Sequence, residues 1–187
     1  MEQARAPLFP LPDLILFPGQ ILPLHIFEPR YRKMTHDLLD GTGELVIGTV
    51  LAEDRKNLDG VAPVQQVAGL ARLERYEKLP DGRYMIVLLG IGRVRVTPIA
   101  STEPYPMADY SLLDSDTEID DSLRERIWQL VTEKQEFSEL PQETGSAQLV
   151  DILIMTAEIP VEDQYSFFSI ESLEERATRV VEAYQDP

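Results

Sequence analysis

At 187 residues and 43% hydrophobic, the chain has the size and composition of one large globular domain, or of one domain with an appendage. It holds no cysteine, which excludes disulfides and thiolate metal sites, and no apolar run near the ~20 residues that a spanning helix needs. Its net charge of −16 is lopsided: residues 1–100 carry 12 basic and 12 acidic side chains, residues 101–187 carry 5 and 21.

That acidic excess repels phosphate backbones at the C-terminal part, so no nucleic acid is expected as a partner; without a long apolar run, no membrane is expected either. It reads instead as a solubilising surface. The opening "MEQARAP" lacks the charged-then-apolar layout of a secretory signal, so a cytoplasmic location is expected.

The first texture along the chain is strand-like. "DLILF" (13–17), "QILPLHIF" (20–27) and "GELVIGTVLAE" (43–53) are rich in branched apolar residues. Pro10, Pro12, Pro18 and Pro23 punctuate the opening. Proline cannot donate to a ladder, so these positions predict strand ends, edges and corners of a bent sheet. A helix near 29–40 follows: Pro29 sits at its start, Tyr31, Met34 and Leu38 at helical spacing, and Gly41 at its stop. A polar loop spans 53–65.

Residues 65–96 carry the clearest hairpin signal, with Pro80-Asp81-Gly82 between two strand-like arms. In "GRVRV" Val94 and Val96 face one way, Arg93 and Arg95 the other. Short strands with turn signals argue for a small barrel or folded-over sheet.

Near residue 115 the texture becomes helical. Ile119, Leu123, Ile127, Leu130, Val131 and Phe137 form one stripe, and "SAQLVDILIMTAEIP" a second helix. "VEDQYSFFS" is a short third. "SLEERATRVVEAY" opens with a Ser172/Glu175 capping box. The predicted division is 1–115, β-rich with one helix, and 116–187, acidic and helical.

"PLFPLPDLILFPGQILPLHIFEPRYRKM" resembles the start of the Lon protease N-terminal, substrate-binding domain. "ELVIGTV", "VAGLARLERYEKLPDGRYMIVLLGIGRVRV", "PYPMADYSLLDSD" and "LVDILIMTAEIPVEDQYSFFSIESLEERATRVVEAY" resemble its later segments in the same order, from about Pro7 to Tyr184. The resemblance implies an α+β fold, a PUA-like bent β-barrel followed by a C-terminal helical bundle. It also implies recognition of unfolded or extended polypeptide.

No glycine-rich loop ending in Gly-Lys-Ser/Thr occurs, and none of Lys33, Lys56, Lys78 and Lys134 sits in a setting like a Ser-Lys dyad. The chain therefore reads as a free-standing, non-catalytic recognition module with no catalytic residue and no cofactor. The alternatives are an adaptor for a folded partner, either a protease or ATPase in trans or a second copy in a homodimer, and a small-molecule binder in a cleft between the two parts.

Other chemical signals are weak. His25 and His36 are the two histidines; His36 has Asp40 four residues on, but no third ligand, so no metal is expected. Asp120-Asp121, Glu162-Asp163 and Glu174-Glu175 lie in first turns of predicted helices, where the dipole favours them. "GIGRV" lacks the third glycine of a dinucleotide loop. The polypeptide-binding candidates are His25, Phe27, Arg30, Tyr31 and Arg32: apolar area from the aromatics, hydrogen bonds to carbonyls and carboxylates from the arginines. The competing expectation packs Phe27 and Tyr31 into the core and pairs the arginines with nearby acids.

Overall fold

The computed structural model describes residues 4–52, 63–113 and 118–185. The fold is mixed α+β, with a six-stranded sheet and five α-helices among the described residues. The chain divides into two compact units, Met1–Leu113 and Asp114–Pro187.

The first unit opens with β1 (Ala4–Pro12). Its Ala4–Pro7 half pairs antiparallel with β6 (Met107–Leu112), and its Leu8–Pro12 half runs parallel to β3 (Glu44–Val50). Pro12 thus falls where the strand ends, as expected, while Pro10 lies within it opposite Gly48, and the change of partner comes at Pro7, outside the expected set. The apolar run 13–17, expected as strand, is not one. Asp13 takes a left-handed φ of 52°, and the Leu14 carbonyl accepts from Thr49 Oγ1 at 2.8 Å rather than from a ladder. The run is nonetheless core: Ile15, Leu16 and Phe17 are buried.

β2 (Ile21–Ile26) leads into α1 (Pro29–Asp40), which buries Tyr31, Met34, Thr35 and Leu38 and is closed by Gly41 N–H on the Leu38 carbonyl. β4 (Val67–Lys78) and β5 (Tyr84–Ile99) form the expected hairpin. Leu79 N–H bonds to the Arg83 carbonyl at 2.8 Å, and Gly82 supplies the φ of 82° that the turn requires. Residues 53–62 of the expected polar loop lie outside the described residues.

The strand order is β2-β5-β4-β3-β1-β6, with a further β5–β6 pairing. β5 is 16 residues long, so its first half pairs with β2 and its second with β6, while β4 lies along its other edge. Apolar clusters form on both sides of the strands. One gathers Phe9, Leu16, Ile26, Tyr31, Met34 and Leu45; the other gathers Leu8, Val46, Leu70, Val94, Val96 and Tyr110. Arg95 is exposed, but Arg93, its expected companion, is 1% exposed.

In the second unit α2 (Asp121–Thr132) is capped by Asp120, whose carboxylate accepts from Ser122 and Leu123 N–H. These bonds, the Ser122 side chain's first, hold Asp120 below its ordinary pKa. The helix stops at Thr132; Phe137, expected on its stripe, falls in a separate 3-10 turn, Gln135–Phe137. α3 (Ser146–Met155), α4 (Val161–Phe168) and α5 (Leu173–Gln185) follow. Ser172 Oγ accepts from Glu175 N–H at 3.3 Å at the start of α5. Ile127, Leu149, Leu153, Phe168, Ala177 and Val180 are buried.

Candidate functional site

β2 carries the site, and its register is set before it begins. Gly19, at φ 80°, donates to the Gly90 carbonyl at 2.8 Å, and Gly90 N–H donates to the Gln20 carbonyl at 2.9 Å. Two successive residues thus meet one residue of β5, the geometry of a bulge opened by a left-handed glycine. From Gln20 onward the alternation is fixed. Leu22, Leu24 and Ile26 turn their side chains to the core, while Ile21, Pro23 and His25 are exposed.

Cross-strand partners share a face, so the pairs Ile21–Leu89, Pro23–Val87 and His25–Met85 place β5 residues on this outer side as well. Ile21 is 66% exposed, Met85 42% and Phe27, just past the strand, 61%. The Phe27 ring lies 6.0 Å from that of His25. Beyond β5, Arg72, Arg75 and Glu77 of β4 stand opposite Leu89, Val87 and Met85. The result is an apolar strip with a charged border.

The five sequence candidates therefore separate. His25 and Phe27 meet on the outer face, so the competing expectation that packs Phe27 into the core does not hold. Tyr31 is in the core, 7% exposed, with its ring 4.3 Å from that of Phe9; burial raises its phenol pKa. Arg30 is held by its own neighbours, with Nε 3.0 Å from Glu28 and the guanidinium 4.7 Å above the Tyr31 ring. Arg32 lies against Gly82 in the hairpin turn, in the space a β-carbon would fill. There, with Pro29, His36, Lys78 and Tyr84, it lines a recess of about 360 Å³. The Arg83 backbone N–H, then its guanidinium, hold Asp81 below its ordinary pKa, and the charge of Arg32 adds to this.

Ile21, Met85, Val87 and Leu89 were not singled out from sequence. In "YMIVLLG" both faces of the strand are apolar, so alternation carries no sign of which residues point outward. The available signal was the parity of β2 and the hairpin register together.

The α1 surface carries a polar network. Lys33 Nζ donates to Asp37 Oδ1 at 2.6 Å, and Tyr105 donates to Asp37 Oδ2 at 2.8 Å. The Lys33 bond, chiefly, holds Asp37 below its ordinary pKa; burial, then the Asp37 bond, raises that of Tyr105. His36 Nδ1 lies 3.4 Å from Asp40 and 3.9 Å from Asp37, and among the described residues no group of three or more ligand-type side chains is placed to hold a metal. No described helix is long and apolar enough to cross a membrane.

Comparison with known proteins places the family and the fold. The family model of the ATP-dependent protease La (LON) substrate-binding domain matches residues 5–186. A Lon protease of Flavobacterium johnsoniae is 25% identical over 189 residues, covering 91% of this chain and 22% of the relative. One of Anaeromyxobacter dehalogenans is 25% identical over 193 residues, covering 96% and 23%. The chain thus spans less than a quarter of the length of these relatives. Among solved structures, a Lon N-terminal domain protein from Xanthomonas campestris superposes with a TM-score of 0.73 at 19% identity, covering 95% of this chain and 97% of the other. The N-terminal domain of a Mycobacterium avium complex Lon protease gives 0.71 at 14%, covering 98% and 99%. With its sequence matched almost end to end and its fold shared, this chain belongs to the Lon substrate-binding domain family.

Proposed function

We propose that this chain is a non-catalytic polypeptide-recognition module, and that the outer face of β2 and β5 holds apolar stretches of unfolded or extended protein. One observation carries the reading: Ile21, Phe27 and Met85 stand exposed together on a family member whose family is described by substrate binding. Burying side chains of this size against a partner contributes about 1.5–3 kcal/mol each. Clustered exposed apolar residues of this kind mark interaction surfaces. His25 and Phe27, whose rings lie 6.0 Å apart, contact the polypeptide directly. In the same reading the ring of pairings through β5, β4, β3, β1 and β6 is a bent, PUA-like barrel, and α2–α5 form an acidic bundle. Nucleotide hydrolysis and peptide-bond cleavage belong to other modules.

The test is a fluorescence titration of labelled casein, an unfolded protein, against wild type and the double variant Phe27→Ser/Met85→Ser. Wild type binds, and the variant binds at least about tenfold more weakly. Absence of casein binding well above micromolar concentration, or equal binding by both proteins, overturns the reading.

A second reading rests on a cavity of about 360 Å³ in the second unit, lined by Leu153, Ile154, Phe167, Val180 and Tyr184 with Lys134 among them. The Lys134 ammonium lies 5.3 Å above the Tyr184 ring. Its size and apolar lining suit a small molecule. An apolar fluorescent dye whose emission is unchanged by a Val180→Trp filling variant would remove this reading.

A further inference from the structure

We infer that β2 takes the bound polypeptide as an additional antiparallel strand on its outward edge, so that main-chain hydrogen bonds, and not only apolar contact, hold it. This rests on the recognition reading above and specifies how that site binds.

Among the described residues β2 pairs with one strand, β5, and stands at the end of the strand order. The Gly90-to-Gln20 hydrogen bond fixes which main-chain groups are used. In an antiparallel ladder alternate residues turn both N–H and C=O to the same neighbour. Gln20, Leu22, Leu24 and Ile26 therefore face β5, and Ile21, Pro23 and His25 turn their main-chain groups outward. These three are also the residues whose side chains lie on the exposed face. The edge thus offers the donors of Ile21 and His25 and the acceptors of Ile21, Pro23 and His25, side by side with the apolar strip.

Pro23 selects the occupant. Its missing N–H sits in the outward set, where it leaves the β5 ladder untouched and removes one bond of six from an added strand. If two copies paired β2 to β2 about Pro23, each proline would face the other and both central bonds would be lost. A foreign extended chain keeps its own donor for the Pro23 carbonyl. The edge is thereby biased against self-pairing while still open to a substrate.

In an added antiparallel strand, residues opposite Ile21, Pro23 and His25 point their side chains onto the apolar strip and their N–H groups at β2. A capped peptide alternating valine and threonine places its valines there. Three probes test this against the wild-type protein: the plain peptide, one N-methylated at the valines, and one N-methylated at the threonines. Valine methylation is expected to weaken binding at least about tenfold, because it removes donors and wedges methyl groups against the edge, while threonine methylation changes it less than about threefold. Equal binding by all three overturns strand addition and leaves the recognition reading standing. Loss on threonine methylation alone overturns the antiparallel register. If neither the plain peptide nor casein binds, the recognition reading fails and this inference falls with it.

Discussion

Gly90 lies so close beneath the Phe17 carbonyl that a β-carbon at position 90 would collide with it. The Leu16–Phe17 segment crosses the sheet at this point, and Gly69 admits it in the same way, with the Leu16 carbonyl 2.5 Å from where its β-carbon would stand. Backbone cannot retreat as a flexible side-chain end can, so Gly90→Ala is expected to destabilise the first unit by about 2–3 kcal/mol. At Gly92 an added β-carbon would meet only Leu112 Cδ2 at 3.6 Å, an ordinary contact. Gly92→Ala should cost less than about 1 kcal/mol. Urea unfolding followed by far-UV circular dichroism separates the two; equal costs would refute the close-approach argument. "GIGRV" thus keeps Gly90 for packing, not for phosphate.

Phe27 and Tyr31 are four residues apart and of similar type, yet one is exposed and the other buried. Tyr31→Ala empties a core position against Phe9 and is expected to cost about 3–4 kcal/mol. Phe27→Ala removes a side chain 61% exposed and should stay within about 0.5 kcal/mol. Thermal unfolding of the two variants, set beside casein binding, checks the assignment. A loss of stability at Phe27 as large as at Tyr31 would mean that Phe27 is a core residue after all.

These two aromatics also show what the sequence could and could not disclose. The helix spacing of Tyr31, Met34 and Leu38 made Tyr31 legible as core. Phe27 belongs to the other alternation, that of Ile21, Pro23 and His25, but the strand ends at Ile26, so its period breaks off before reaching Phe27. The β4–β5 hairpin was legible because Pro-Asp-Gly has one economical conformation. β1 was not, because three prolines in "ARAPLFPLP" argue against a strand, and only the change of partner at Pro7 explains how it tolerates them. "DLILF" misled in the other direction: its apolar content announced burial, and burial does not require a ladder when Thr49 satisfies the Leu14 carbonyl.

The Lys33–Asp37–Tyr105 network gives the first unit an acid-sensitive tie. Asp37 is held below its ordinary value of 3.8, so the folded state keeps it ionised more strongly than the unfolded chain does. The sign follows directly: the stabilisation is complete above about pH 4 and is lost as the pH falls through the depressed value. Asp37→Asn, which cannot ionise, should show a flatter decline of unfolding free energy between about pH 4 and pH 2 than wild type. Parallel curves for the two proteins across that window would exclude Asp37 as the source of the acid sensitivity.

The second unit hides its own charge pair. Asp151 of α3 and Arg176 of α5 face each other with Oδ1 3.6 Å from Nη2, the side chains 4% and 1% exposed. Removing one partner of such a buried pair takes an opposite charge from beside the other, at a cost of about 3–5 kcal/mol, although the intact pair contributes little more than well-packed apolar residues would. Asp151→Ala is therefore expected to be severely destabilising, and Asp151→Leu/Arg176→Met to recover most of the loss. Trp128, the chain's one tryptophan, stands on α2 in this unit, so its fluorescence during urea unfolding reports the transition without interference from the first unit. Should the single variant lose less than about 1 kcal/mol, or the double variant lose more than the single, the pair is not the buried tie between α3 and α5 described here.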